Sequence, residues 1–139
     1  MTTPELLSTL REINASAAFN RWAGFEVTHA EPGLAELRLP WRDELGQYTG
    51  YLHAGMVSAL VDTACGFAAV TVSGSAVLAS HCAVSYLAPA TGTAFVARAR
   101  ARVVKPGRRQ VFTRAELFAE REAGEVLVAV GETILIPLG

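Results

Sequence analysis

The spacing of apolar positions changes several times along this chain, and each change marks an element. From Thr3 to Ile13, the residues Leu6, Leu7, Leu10 and Ile13 recur at helical spacing with Pro4 in the first turn, which predicts a helix. A second short helical stretch is expected within residues 15–22. From Phe25 the period becomes two. "FEVTHAE", a Pro32-Gly33 turn and "LAELRLPW" read as a hairpin, with Ala35, Leu37 and Leu39 on one face and Glu36 and Arg38 on the other. Residues 43–52 form a polar, glycine-bearing loop. His53 to about Val72 is apolar nearly all round, the pattern of a buried helix. Small or short residues recur along it at Gly55, Ser58, Ala59, Asp62, Thr63 and Gly66, a stripe that lets another backbone approach closely. "SGS" at 73–75 ends it.

Four strands follow: "AVLASHCAVSYLAP" (76–89), "TAFVARARARVV" (93–104), "RQVFTRAELFAER" (109–121) and "EVLVAVGETILIP" (125–137), with "KPG" and "EAG" turns between the last three. The order is helix, hairpin, long buried helix, four strands. It predicts an α+β fold in which one antiparallel sheet wraps around one helix. Residues 1–139 read as a single domain, with residues 1–23 as an N-terminal helical segment.

Composition narrows the function classes. The 139 residues are 51% hydrophobic and 18% charged, which excludes disorder and points to heavy burial or a large subunit interface. A net charge of −1 gives no global support to a nucleic-acid partner. The alternating Arg98, Arg100 and Arg102 are expected on a solvated strand face, paired across strands with residues such as Glu116 or Glu120. The start lacks a basic segment followed by an apolar one, and Ser58, Asp62, Thr63 and Gly66 interrupt the long apolar helix. A cytoplasmic protein without a membrane span is therefore expected. Cys65 and Cys82 lie in apolar surroundings without metal-ligand spacing and are expected to be buried, reduced thiols. No P-loop, Rossmann glycine pattern, metal-ligand spacing or serine nucleophile elbow is present, and no cofactor is expected.

Asp62 is the residue that the core pattern leaves unexplained. A lone carboxylate in an apolar helix is costly unless it is paired or has a task. The run "GQYTGYLHAGMVSALVDTA" resembles the hotdog-fold acyl-CoA thioesterases of the PaaI type. Their signature is an amide residue, five residues, His-Gly-Gly, and an acid eight residues after the first glycine; Gln47, His53, Ala54, Gly55 and Asp62 stand at those spacings. "VSYLAPA" (84–90) and "KPGRRQVF" (105–112) match two weaker patterns, and the resemblance covers nearly all of the chain after Gly24. It implies a hotdog fold and hydrolysis of an acyl-CoA, with coenzyme A as part of the substrate. It also implies a homodimer that pairs again as a dimer of dimers.

The resemblance implies roles residue by residue. The N–H of Ala54, which follows the histidine, would polarise the thioester carbonyl, with Gly55 giving close approach. Gln47 would hold the substrate or the attacking water, and Asp62 would activate that water or attack directly. His53 is expected to shape the helix start rather than act as a base. Ser80 is a candidate for a water-holding hydroxyl, in a register uncertain by one residue, so that Ala79 competes for the place. Where some relatives carry a threonine one turn after the acid, this chain has Gly66, and Thr63 is an outside option. His81 is expected to be an ordinary sheet histidine. Lys105, Arg108 and Arg109 flank a turn and suit the phosphates of coenzyme A. Tyr51, Phe67, Leu78 and Leu87 are candidates for lining an acyl pocket.

Elementary physics supports part of this. A helix N-terminus presents unpaired N–H donors and partial positive charge, suited to the oxyanion of a tetrahedral intermediate. Ala54 and Asp62, eight residues apart, are separated by roughly 12 Å along a helix. One straight helix cannot bring both to one carbonyl, so a shared site needs two chains packed antiparallel. The alternatives are a hotdog hydratase or dehydratase with His53 as base, and a non-catalytic acyl-CoA-binding module, for which the Gly-to-Ala departure at Ala54 is the motive.

Overall fold

Alternation along the strands builds one antiparallel sheet. The computed structural model describes residues 1–90 and 96–139. Its elements are α1 (Thr3–Ser16), α2 (Ala18–Ala23), β1 (Glu26–Glu31), β2 (Leu34–Pro40), a 3-10 turn (Asp43–Leu45), α3 (Ala54–Ser73), β3 (Val77–Tyr86), β4 (Val96–Lys105), β5 (Val111–Arg121) and β6 (Gly124–Pro137). Residues 93–95, expected to open the second of the four late strands, lie outside the described residues. The six strands are ordered β1-β2-β4-β5-β6-β3, so the chain passes from β2 through α3 to the far edge of the sheet. This is the α+β hotdog architecture.

The inner face of the sheet is built to receive a helix. Ala97, Ala99 and Ala101 of β4 and Ala115 and Ala119 of β5 are all buried there. Their small side chains let α3 settle onto β2, β4, β5 and β6. At Gly131 on β6 the approach leaves no room for a side chain, because a Cβ there would stand 2.6 Å from Cγ1 of Val61. The apolar side of α3, including Leu60, Val61, Ala64, Cys65 and Ala68, is fully buried. Ser58, Ala59, Asp62, Thr63, Gly66 and Val70 are only half-buried and form the side of α3 that the sheet leaves open. By length and composition α3 is apolar enough to cross a membrane, but here it is the core helix of the fold.

The outer face is polar. Arg98 pairs with Glu125 at 2.8 Å, Glu120 at 3.1 Å and Glu36 at 3.5 Å, and its guanidinium lies 4.6 Å from the Phe118 ring. Arg100 pairs with Glu36 at 3.2 Å. The expected partner Glu120 is found. Glu116 stands opposite Arg100 in the ladder, but the ion pair is made to Glu36. Cys65 is buried, and burial pushes its thiol up to about 11. Cys82 departs from the expectation of two buried thiols. It is exposed, because β3 is an edge strand with no neighbour beyond it.

At the other edge, α1 packs on β1. Its start is fixed by a capping box, with Thr2 and Glu5 each bonding the other's backbone N–H. Arg11 Nε donates to the Val27 carbonyl at 3.1 Å and Asn14 Nδ2 to the Phe25 carbonyl at 2.8 Å.

Candidate active site

The start of α3 is organised by His53. As N-cap, its Nδ1 accepts from the Gly55 N–H at 2.8 Å. Its carbonyl takes the N–H groups of Met56 and Val57 at 2.9 and 3.1 Å. Of the four amides in the first turn of α3, only Ala54 N–H has no acceptor among the described residues. The helix dipole and this free donor therefore converge at one exposed point. Gly55 is required here because a Cβ would come within 2.9 Å of His53 Nδ1. Its smallness makes room for the capping imidazole. Ala54 is the first helical residue, so a methyl group there leaves the donor intact.

The loop before α3 closes on itself. Gly46 and Leu52 form a bridge, and Gln47 N–H donates to the Tyr51 carbonyl at 2.8 Å. Gln47 Oε1 accepts from both the N–H and the hydroxyl of Thr49, each at 2.7 Å. That fixes the amide orientation: the oxygen is occupied, and Nε2, without a partner among the described residues, remains as a donor. Gly50, with φ of 81°, makes the turn that allows this closure.

Gln47, Tyr51, His53, Ala54, Tyr86 and Leu87 come together around an open cavity of about 450 Å³ at this end of the molecule. Tyr86 was not singled out from the sequence. It enters because the end of β3 reaches the start of α3, where its hydroxyl meets Ser58 Oγ at 2.6 Å. Of the proposed pocket-lining residues, Tyr51 and Leu87 line the cavity. Phe67 is instead buried in the core, and Leu78 is exposed near the start of β3.

Asp62 does not reach this cavity. It lies two helical turns further on, half-buried on the open side of α3, with no hydrogen bond or ion pair among the described residues. Burial alone raises its pKa above the ordinary carboxylate value. Among the described residues, no arginine of the sheet pairs with it. β3 runs antiparallel to α3, since Val77 lies near Gly66 while Tyr86 lies near Ser58. Ser80, between them on β3, is thus level with the middle of α3, around Asp62. It is the extra residue of a bulge between Ala79 and His81, and its hydroxyl donates to the Ile134 carbonyl at 3.3 Å. This bulge is the source of the one-residue ambiguity between Ala79 and Ser80. His81 faces the outer surface of the sheet opposite Ile134, as an ordinary sheet histidine.

The three cations separate. Lys105 opens onto the outer face beside Phe112, whereas Arg108 lies beside Val72 and Ser73 at the far end of α3. Arg109 is exposed next to it. Arg108 is thus some 27 Å along the helix from its own Ala54. Among the described residues, no group of His, Cys, Asp and Glu is arranged to hold a metal ion.

Comparison with known proteins agrees with this architecture. A family model described as the thioesterase superfamily matches residues 49–126, a span that includes His53, Ala54, Gly55, Asp62 and Ser80 but not Gln47. The structure of a thioesterase family protein from Silicibacter pomeroyi is 34% identical, with a TM-score of 0.90 over 96% of this chain and 98% of that one. A variant of the phenylacetic acid degradation protein PaaI from Thermus thermophilus is 30% identical, with a TM-score of 0.78 over 88% of this chain and 100% of that one. The PaaI protein of the E. coli phenylacetic acid degradation operon, 21% identical over 96% of each chain, shares the fold with a TM-score of 0.81. No curated protein sequence matches the chain. With a family model over more than half its length and a relative of 34% identity across nearly all of it, the chain belongs to the thioesterase superfamily, as a hotdog-fold protein of the PaaI type.

Proposed function

We propose that the protein hydrolyses an acyl-CoA thioester in a site shared by two chains. One observation carries the reading: the free Ala54 N–H opens to a cavity, while the unpaired Asp62 sits on the same helix about 12 Å away. Two copies of α3, packed antiparallel through their open sides, would set Asp62 of one chain against Ala54 of the other. β3 offers the means. It is an edge strand exposed along most of its ten residues, and it contains no Asp, Glu, Lys, Arg or Pro. Such an edge is a template for pairing with another strand.

In this arrangement Asp62 removes a proton from water as its oxygen attacks the thioester carbon. Ala54 N–H holds the oxyanion of the tetrahedral intermediate, and Gln47 Nε2 donates to the substrate or the water. Collapse breaks the C–S bond, and the proton held by Asp62 passes to the leaving sulfur. A raised pKa suits the first step, because the carboxylate is then a stronger base than an ordinary one. Ser80, level with Asp62, would hold the water.

Coenzyme A fits the same geometry. With Asp62 opposite the other chain's Ala54, the last turn of the α3 that carries Asp62 lies roughly 15 Å from the site. Arg108 and Arg109, too distant within one chain, would then receive phosphates at the end of an extended pantetheine arm. Lys105, on the outer face, is less well placed for this. The hydratase reading lacks support because the single lone pair of a neutral His53 is occupied by Gly55 N–H.

The test is thiol release from phenylacetyl-, hydroxybenzoyl- and fatty acyl-CoAs, with the matching N-acetylcysteamine thioesters alongside. Turnover of a CoA thioester with a lower KM than its truncated analogue is expected. Tight acyl-CoA binding without thiol release would replace the enzyme with a binding module. Equal KM for both series would remove the phosphate contacts.

A further inference from the structure

Tyr86 combines two properties that a wall residue does not need together. The residue is 54% exposed and borders the cavity lined by Ala54 and Gln47, yet its hydroxyl is committed to α3. That hydroxyl lies 2.6 Å from Ser58 Oγ and 3.4 Å from the Ala54 carbonyl oxygen. We propose that Tyr86 is a positioning residue for thioester hydrolysis, which, with Ser58, holds the first turn of α3 in the geometry that aims Ala54 N–H at the substrate.

The direction of the chain of hydrogen bonds follows from the groups. A carbonyl only accepts, so Tyr86 is the donor to Ala54, and in that arrangement the Tyr86 oxygen is left to accept from Ser58, although either hydroxyl could donate in the 2.6 Å contact. Serine within a helix commonly bonds back to the carbonyl four residues earlier, which for Ser58 is Ala54. Here the phenol stands between those two groups and thereby ties β3 to α3.

The Ala54 carbonyl and Gly55 N–H belong to one peptide unit. A donor on that oxygen polarises the unit and strengthens Gly55 N–H toward His53 Nδ1, 2.8 Å away. Tyr86 therefore supports the His53 cap from the opposite side of the peptide. The cap in turn fixes the preceding peptide, which carries the Ala54 donor. The ring wall and the donor move as one body, so a substrate resting on the ring is registered against the N–H.

This inference rests on the cavity being the thioester site, and the test separates the two. Tyr86→Phe keeps the ring and removes the hydroxyl; Ser58→Ala removes its brace. Each is expected to lower kcat about tenfold with KM nearly unchanged, and the double variant to lose little more than either single one. Ser58→Thr, which keeps the hydroxyl, recovers most of the loss. A readout independent of turnover is the pair of amide resonances of Ala54 and Gly55 in ¹⁵N-labelled protein, which Tyr86→Phe should shift. Unchanged resonances overturn the proposal whether or not the protein releases thiol. So do losses of kcat that multiply in the double variant, or a fall in Tm with kcat intact. Shifted resonances in a protein without thioesterase activity would leave the positioning intact and overturn only the reading of the cavity.

Discussion

The two edges of the sheet are treated in opposite ways. At β1 the side chains of Arg11 and Asn14 from α1 bond the carbonyls of Val27 and Phe25, and the strand carries Glu26 and Glu31. At β3, among the described residues, no helix side chain bonds a strand carbonyl, no Asp, Glu, Lys or Arg interrupts the ten residues, and Cys82 is exposed. Proteins commonly blunt an edge with charge, proline or a covering element. One edge here has those protections and the other lacks them, which points to where a second chain would pair. The half-buried stripe of α3 containing Asp62 borders the unprotected edge, so the same comparison links association with chemistry.

The largest effect should come from giving β3 the protection it lacks. Ala83→Lys with Ser85→Lys places two cations in each strand of the proposed pair, on residues exposed in the single chain. Light scattering should find a species near the 14.7 kDa of one chain, and thiol release should fall to background. A folded, fully active dimer would show that β3 is not the interface.

A smaller effect, in two opposed parts, is expected from Asp62→Asn. Loss of the base should lower kcat by roughly a hundredfold or more. Stability should move the other way. Because burial raises the folded-state pKa of Asp62, its charged form costs stability as pH rises through that pKa, and nothing below the unfolded value near 4. The variant should therefore have a higher Tm than the wild type at pH 7, a gain that vanishes in acid. Normal turnover by the folded variant would remove Asp62 from the mechanism. A Tm lowered at pH 7 would mean that the carboxylate has a favourable partner in the assembled protein.

The smallest effect belongs to the protected edge. Arg11→Ala deletes the bond to Val27 and should cost about 1 kcal/mol of stability. Assembly and thiol release should be unchanged. Loss of association in this variant would erase the contrast between the edges.

Much of this molecule was legible in its sequence, because hydrophobic period is a local property that each element carries by itself. The helix–hairpin–helix–four-strand order, the inward face of Ala35, Leu37 and Leu39, the burial of the long helix and the start of α3 at His53 all follow from spacing. The isolation of Asp62 also follows, since an acid in an apolar helix is visible without coordinates. Strand order, by contrast, depends on pairings between residues far apart, and only the tertiary structure decided that β3 would be an edge and Cys82 exposed. The same holds for the cavity. Phe67 and Leu78 have the right chemistry for its wall, but one went to the core and the other to the open strand. Ser58 and Tyr86, 28 residues apart, meet only because β3 returns antiparallel to α3. The sequence by itself determined which residues are apolar, charged or able to donate a proton. The packing of α3 against the sheet decided which of them share a surface, because a contact between distant residues exists only after the chain has closed on itself.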